Sequence, residues 1–177
     1  MSDSLIKLEP LTKEDLELVR NWRNDPKIQK YMEYRQTITP EQQVVWFETQ
    51  KKEESHYFII EVNKKKIGLA NIKNIDKGQR IGESGVFVYE DDLLNSLTPY
   101  AIVLKLLDFG FNNLNLIKIY CHILKSNPRA IRFNKSLGFR IAENQDNIEN
   151  QLYWLEYDDY QRSTKAIRNI LNKNNYL

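Results

Sequence analysis

A segment that is apolar on almost every side, residues 98–111, constrains the fold more than any other part of the sequence. Thr98-Pro99 is a typical helix start, and Ala, Ile, Val, Leu and Phe cover most of the helix that follows. Such a helix has to be buried on most sides. Lys105 and Asp108 interrupt its apolar run well short of the roughly 20 residues that span a bilayer. We therefore expect a helix enclosed by a globular fold.

Alternating and β-branched segments on both sides of this helix predict strands. The predicted strands cover residues 6–10, 57–62, 66–72, 85–89, 117–123, 140–141 and 151–157. Capping residues and prolines predict helices over residues 12–22, 39–53, 98–111 and 127–138, followed by a polar, amphipathic helix from about residue 159. This order of elements predicts an α/β (α+β) fold, in which a mixed sheet carries helices on its faces.

Length and composition limit the classes of function. The 177 residues contain no repeat or flexible linker, so we expect one domain over residues 1–177, with a core over about 6–157 and a helical tail over 158–177. A net charge of +2 gives no basis for nucleic-acid binding, and one cysteine with two distant histidines gives none for a disulfide or a metal site. Without a membrane span or an export signal, the expected location is the cytoplasm.

One predicted helix carries the most specific pattern in the sequence. Residues 127–139 read Asn-Pro-Arg-Ala-Ile-Arg-Phe-Asn-Lys-Ser-Leu-Gly-Phe, which resembles the N-x-x-A-I-x-F-Y-x-x-x-G-F helix of GNAT acetyltransferases. Residues 86–111 are similar to the central strand, cofactor loop and buried helix of that family. The resemblance implies the GNAT fold, with a mixed, mostly antiparallel sheet whose central strands splay apart, and acetyl-CoA as the co-substrate.

Shorter matches imply an acceptor. Residues 20–26 resemble a signature of the ribosomal-protein and sugar-modifying branches of the family. Residues 22–28, 31–32 and 38–40 resemble N-acetyltransferases that act on nucleotide-linked 4-amino-4,6-dideoxy sugars, as in pseudaminic acid synthesis. The implied reaction is acetylation of a primary amine on a small molecule, with the 4-amino group of such a sugar as the best match; we expect a monomer or a homodimer. The candidate acceptor-binding residues are Arg23, Gln43, Asn71 and Lys73.

The resemblance also implies where acetyl-CoA binds. The pantetheine arm lies along the central strand, and the pyrophosphate lies at the start of the helix that begins near Pro99, where free N–H groups and the helix dipole favour an anion. The family lines this loop with glycines, whereas residues 94–99 contain none, which restricts the approach of the backbone to phosphate. The candidate cofactor-binding residues are Val86, Phe87, Val88, Asn95, Ser96, Leu97, Thr98, Asn127, Arg129 and Arg132. Thr98 and Asn127 also fit helix caps, and the two arginines also fit a solvated helix face.

Acetyl transfer needs a neutral amine and a proton for the departing thiolate. The family's usual proton donor is a tyrosine, but Asn134 stands at the matching position, so the proton has to come from water, from Tyr89 or from the attacking amine. Glu83 is the first candidate for the base and His122 the second, although each also fits a structural role.

Two other functions fit the same residues. A protein N-terminal or lysine acetyltransferase needs an open groove for an extended backbone in place of a diphosphate pocket. A catalytically inactive acyl-CoA-binding domain is an alternative of another class, because the loop glycines and the tyrosine are both missing.

Overall fold

A seven-stranded mixed sheet organises residues 6–51 and 53–177, the part of the chain that the computed structural model describes. The strands are β1 (Ile6–Pro10), β2 (His56–Val62), β3 (Lys65–Asp76), β4 (Ile81–Val88), β5 (Lys118–Leu124), β6 (Arg140–Ile141) and β7 (Asn150–Glu156). Their order across the sheet is β1-β2-β3-β4-β5-β7-β6. All neighbouring pairs run antiparallel except β4 and β5, which are parallel. The expected mixed, mostly antiparallel sheet is confirmed.

Helices cover both faces of this sheet. They are α1 (Leu16–Asn24), α2 (Pro26–Gln29), α3 (Pro40–Thr49), α4 (Thr98–Asp108), α5 (Pro128–Ser136) and α6 (Tyr157–Lys173). On the side that we call the first face, Val19 and Trp22 of α1 pack against Ile59 and Leu69 of the sheet. On the second face, α4, α5 and α6 enclose the larger core.

The apolar helix is buried as its composition predicts. Leu104, Leu106 and Leu107 of α4 have no exposed surface, and they pack in the same core as Ile72 and Ile119 of the sheet. The α-helical geometry ends at Asp108, however, and residues Phe109–Asn113 continue as one wider π-helical turn.

Several predicted boundaries were wrong in ways that the local chemistry explains. The first helix was predicted to begin at residue 12, but Thr12 instead bonds Asp15 and opens a 3-10 turn before α1. The chain forms a further short helix, α2, where Asp25 caps Lys27. The second predicted helix stops at Thr49 and not at residue 53, because Gln50 is extended. The fourth strand begins at Ile81, so Glu83 lies inside it and not before it.

A tight hairpin and a register shift beyond it set the pairing on which the first face depends. Asn63 and Lys64 have left-handed φ angles of 51° and 65°, which give the connection a twist that suits two adjacent antiparallel strands. An irregularity between Ile60 and Glu61 then shifts the register by one residue, and the shifted register places Tyr57 of β2 opposite Asn71 of β3. Because directly opposed residues point to the same side, these two side chains share the first face.

The two central strands separate along their length. Ladder pairing between β4 and β5 is confined to Ile81–Glu83 and residues 118–120, and the strands diverge beyond that point. The expected splay of the central strands is confirmed. Among residues 6–51 and 53–177 no helix has the length and apolar composition needed to cross a membrane. That same part of the chain gathers no three His, Cys, Asp or Glu side chains into a group that could hold a metal ion.

Candidate active site

The gap between β4 and β5 is the most distinctive opening in the sheet. Val86, Phe87 and Val88 pair with β3 on one side, and within the described residues no strand pairs with them on the other. Their free backbone groups line the gap as the edge of a sheet does. An extended chain that carries amides can add there by backbone hydrogen bonds, so the gap fits the pantetheine arm of a coenzyme.

The loop before α4 is shaped by a serine where glycine was expected. The Ser96 hydroxyl donates to the Leu93 carbonyl at 2.7 Å and accepts from the Thr98 amide at 3.1 Å. The Ser96 hydroxyl thus holds the first amide of α4, while Leu97 stands at the N-cap position and has no side-chain capping bond. The prediction that Thr98 caps this helix was wrong, because Thr98 is already the first residue of α4 and is buried. The loop thus turns into the helix without a glycine, and leaves the α4 N-terminus available to an anion.

Arg129 braces this loop from the neighbouring helix. Its guanidinium donates to the Leu94 carbonyl and, at 3.2 Å, to the Asn95 side chain. Both bonds are made by the same terminal nitrogen, so Arg129 supports the loop, and its contact with phosphate stays a prediction. Arg132 is exposed and has no side-chain partner in the described part of the chain. The Asn127 side chain caps α5, accepting from the Ala130 amide at 3.1 Å.

Tyr89, the candidate acid, and Asn134, at the position of the family's usual proton donor, both bond other protein groups. The Tyr89 hydroxyl donates to Asp25 at 2.8 Å, and this hydrogen bond raises the pKa of Tyr89. A proton held by that carboxylate is not available to a thiolate, so the structure argues against Tyr89 as the acid. Asn134 donates its side-chain amide to the Ala130 carbonyl at 2.9 Å, one helical turn back, and its oxygen lies 4.0 Å from the Cys121 sulfur.

The two candidate bases are brought together. His122 Nδ1 lies 3.1 Å from Glu83 Oε1 on the first face. Asn74 donates to Glu83 Oε2 at 2.7 Å, and the Lys73 ammonium lies 3.6 Å from the same oxygen. Lys73, which was expected to touch the acceptor, is thereby placed beside the base.

Arg23 lies at the acceptor side of this face without a partner. The guanidinium is partly buried, and within the described residues it makes no hydrogen bond or ion pair. Burial lowers the pKa of Arg23, and the titratable side chains whose fields act on it are Tyr57 and Tyr34. The charge is thus desolvated but uncompensated.

Two further polar side chains, one on α3 and one on β3, are also unsatisfied. Gln43 is only 1% exposed, yet neither atom of its side-chain amide has a hydrogen-bond partner within the described residues. The same holds for Oδ1 of Asn71, which lies opposite Tyr57 in the sheet. Gln43 shares a helix face with Trp46, whose ring meets the Tyr57 ring at 4.8 Å. We call Arg23, Gln43, Tyr57 and Asn71 the polar pocket.

Three side chains of this region, Tyr57, Tyr120 and Asn74, were not among the site residues predicted from the sequence. Tyr57 belongs to the polar pocket, and the Tyr120 ring meets the His122 ring at 5.8 Å. Alternation along β2 and β5 could have assigned both tyrosines to a face, but only the register tells what they oppose. Asn74 has a left-handed φ of 51°, a conformation that favours asparagine and glycine over most residues.

Comparisons with known proteins bear on this site. The model of the Acetyltransferase (GNAT) domain family matches residues 6–140. The spermidine N(1)-acetyltransferase of Escherichia coli K12 is 28% identical over 137 residues, which are 77% of this chain and 73% of that protein. The structure of spermidine N-acetyltransferase from Vibrio cholerae in complex with CoA and spermine superposes with a TM-score of 0.77 at 23% identity, covering 89% of this chain and 99% of that one. A domain from Methanocaldococcus jannaschii gives a TM-score of 0.71 at 25% identity, over 87% and 99%.

The two enzymes among these relatives are named for spermidine. The resemblance to enzymes of nucleotide-linked sugars is therefore not reproduced by them. What the relatives of known structure share with this chain is the fold.

Proposed function

We propose that this chain, which belongs to the GNAT acetyltransferase family and is thus an acetyl-CoA-dependent N-acetyltransferase, acetylates a small-molecule amine that also carries an anionic group. The acceptor that best fits this description is the 4-amino group of a nucleotide-linked amino sugar. Its diphosphate supplies the anion, and its sugar ring supplies hydroxyl groups.

Unpaired Arg23 is the observation that carries this proposal. Leaving a desolvated charge without a counter-ion is costly, so a partly buried guanidinium without a protein partner is suited to an anionic ligand. Its planar fork matches phosphate or carboxylate in two parallel hydrogen bonds. The unsatisfied atoms of Gln43 and Asn71 can pair with the hydroxyl or amide groups of the same ligand.

The rest of the site supports transfer by positioning. When bound, acetyl-CoA supplies the activated acetyl group. The free backbone edge of Val86 to Val88 holds its arm in the gap, and the polar pocket holds the acceptor on the first face. Orientation of two reactants in this way can lower a barrier by several kcal/mol without an acidic side chain. This agrees with an asparagine at position 134.

A polyamine is the second candidate, and the observation that favours it is the identity of the relatives, which are named for spermidine. Polyamines are polycations, which need acidic side chains around them. Here Arg23 and Lys73 bring two positive charges to the first face, and Glu83 is already bonded to other protein groups. The charge of the site thus favours an anionic acceptor.

Thiol release from acetyl-CoA, measured with a panel of acceptors, tests the proposal. The panel is a nucleotide-linked 4-amino-4,6-dideoxy sugar, the same sugar without its nucleotide, and spermidine. We expect the highest kcat/KM for the nucleotide-linked sugar. A higher value for spermidine would replace the proposal with the polyamine candidate.

Variants separate a phosphate contact from a structural role. Arg23→Ala should lower kcat/KM for the nucleotide-linked sugar by about 10- to 150-fold, since a hydrogen bond to a charged group contributes roughly 1.5–3 kcal/mol. The KM for acetyl-CoA and the rate with the free sugar should stay nearly unchanged. Arg20→Ala is the matched control, because Arg20 lies on the same helix but bonds Glu17. Equal losses of kcat/KM with both sugars would indicate that Arg23 has a structural role.

A further inference from the structure

We infer that His122 is the general base of this acetyltransferase and that Glu83 is a positioning residue that orients it. The inference deepens the proposed function, since it concerns the same acetyl transfer, but it does not depend on which amine is the acceptor. It reverses the order of candidates that the sequence alone suggests.

Each carboxylate oxygen of Glu83 already has a hydrogen-bonding neighbour in the protein. Oε1 lies 3.1 Å from His122 Nδ1, and Oε2 accepts from Asn74 at 2.7 Å. Its side chain is 12% exposed, and the Lys73 ammonium lies 3.6 Å from Oε2. A carboxylate held in this way is a fixed acceptor and a poor proton shuttle.

His122 has the opposite properties. Its side chain is 36% exposed, and Nδ1 is the only ring nitrogen with a hydrogen-bond partner in the described part of the chain. An ionised Glu83 can only accept, so Nδ1 carries the proton of this bond in the neutral ring. Nε2 then presents its lone pair, which can accept a proton from an ammonium.

The position of His122 in the sheet places that lone pair at the site. The last β4–β5 pair joins Glu83 to Tyr120, and His122 follows two residues later on β5. Strand alternation keeps Tyr120 and His122 on the first face, where the acceptor approaches. The strands have already diverged at His122, so it stands at the mouth of the gap that holds the coenzyme arm. The Tyr120 ring packs edge-on against the imidazole and restricts its rotation.

The chemistry balances with one base. His122 Nε2 takes one proton from the acceptor ammonium, which leaves a neutral amine. The amine lone pair forms the new C–N bond to the acetyl carbon as the C–S bond breaks. The second N–H proton goes to the departing sulfur, directly or through water, and His122 returns its proton to solvent. The products are the amide and the free thiol.

Kinetics of paired variants distinguish the two roles. With whichever acceptor of the panel is best, His122→Gln should lower kcat by about 100-fold or more and remove the rise of kcat/KM with pH, because a general base contributes roughly 10²- to 10⁴-fold. Glu83→Gln should lower kcat by about tenfold or less and keep the rise. Added imidazole should restore part of the activity of His122→Ala and none of that of Glu83→Gln. The reverse pattern, in which only Glu83→Gln removes the pH-dependent rise, would overturn the inference.

A measurement that needs no acceptor gives an independent answer. The sequence has two histidines, His56 and His122, so their ring nitrogens can be assigned by NMR. We expect the neutral His122 ring to carry its proton on Nδ1 in the wild-type protein and to lose this preference in Glu83→Gln. A proton on Nε2 in the wild type would overturn the inference, even if the proposed acceptor also proved wrong.

Asn74 offers a matched pair of variants for the positioning role. Asn74→Gly keeps the left-handed backbone, at φ 51°, but removes the hydrogen bond to Glu83. We expect it to lower kcat a few-fold while the KM for acetyl-CoA stays the same. Asn63→Gly is the control, because Asn63 has the same φ of 51° in a hairpin turn outside the site. Equal effects of the two changes would mean that Asn74 acts only through the backbone.

Discussion

The Tyr160 hydroxyl donates a hydrogen bond to Asp108 at 2.8 Å, and this contact joins the C-terminal helix to the end of the most deeply buried one. Arg168, two turns further along α6, binds the same carboxylate with both arms of its guanidinium, at 2.6 and 3.0 Å. Tyr160 has no exposed surface. The tail is therefore attached by a partly buried polar cluster and not by apolar contacts alone.

Removal of the Tyr160 hydroxyl should destabilise the protein. We expect Tyr160→Phe to lower the free energy of unfolding by about 1–3 kcal/mol, because the change takes a partner from a partly buried carboxylate without changing the shape of the ring. Tyr157→Phe, at a position that is 41% exposed, should change it by less than about 0.5 kcal/mol. Urea denaturation of the three proteins measures both values. Equal stability of all three would show that the cluster contributes nothing.

Loss of the Arg129 brace should weaken the use of acetyl-CoA. Arg129→Ala frees the loop at Leu94 and Asn95, and we expect kcat/KM for acetyl-CoA to fall about tenfold, which is the loss of one good hydrogen bond. Acetyl-pantetheine lacks the pyrophosphate that this end of α4 should bind, so its rate should hardly change. Lys135→Ala, an exposed position on the same helix, is the control. An equal loss with both thioesters would place the effect of Arg129 outside the phosphate site.

Replacing Asn134 by the tyrosine that the family usually carries should not abolish transfer and should raise it. The side-chain amide of Asn134 donates to the Ala130 carbonyl, so replacing Asn134 removes no proton donor from the reaction. A tyrosine there can donate to the departing thiolate. Steady-state kcat, together with a melting curve to check the fold, gives the answer. Complete loss of activity in a folded variant would show that the amide itself has a role.

Because of the buried Asp15, the free energy of unfolding should depend on pH. Burial pushes its pKa up, but hydrogen bonds from Lys66 at 2.6 Å and from Thr12 outweigh this, and the net pKa is lowered. A lowered pKa stabilises the fold at pH values above the unfolded-state pKa near 3.9, and this contribution disappears as the pH falls through the folded-state pKa. Asp15→Asn should therefore cost about 1–3 kcal/mol at pH 7 and almost nothing in strong acid. A cost that is the same at pH 7 and pH 2 would contradict this.

Cys121 should be inert in the folded protein. It is the only cysteine of the sequence, it is 6% exposed, and burial raises the pKa of its thiol far above the usual range. A thiol reagent reacts with the thiolate, so the native chain should not react on the time scale of an assay. One equivalent should react after unfolding in guanidinium. Rapid labelling of the native chain would contradict this, and would also add a background to thiol-release measurements.

Much of the fold follows from local sequence chemistry. The apolar coat of α4, the proline at its start and the alternating segments around it predict the order of elements and the burial of that helix. The ends of elements are harder, because they depend on single contacts. Ser96, and not Thr98, bonds the first amide of α4, and extended Gln50 ends α3 early. Neither contact has a strong local signal.

In the candidate site, too, some features follow from the sequence and others depend on contacts that have no local signal. Arg23, Gln43 and Asn71 were expected at the acceptor from the sequence, and the structure brings them near one tyrosine that the sequence did not single out. The bond between Glu83 and His122 joins residues that are 39 positions apart, and it depends on where the parallel ladder ends. No local sequence pattern predicts that these two side chains meet. Arg129 shows the reverse case, in which a basic residue predicted to contact phosphate bonds the loop before α4.

The gap between β4 and β5 has a further consequence for the lifetime of the protein. Unpaired backbone along Val86 to Val88 is an edge in the middle of a sheet, and edges are where chains associate wrongly. A bound coenzyme arm covers this edge, so the supply of acetyl-CoA should govern both catalysis and solubility. We expect heat-induced aggregation to slow as the coenzyme concentration rises, and amide exchange at these three residues to slow with it.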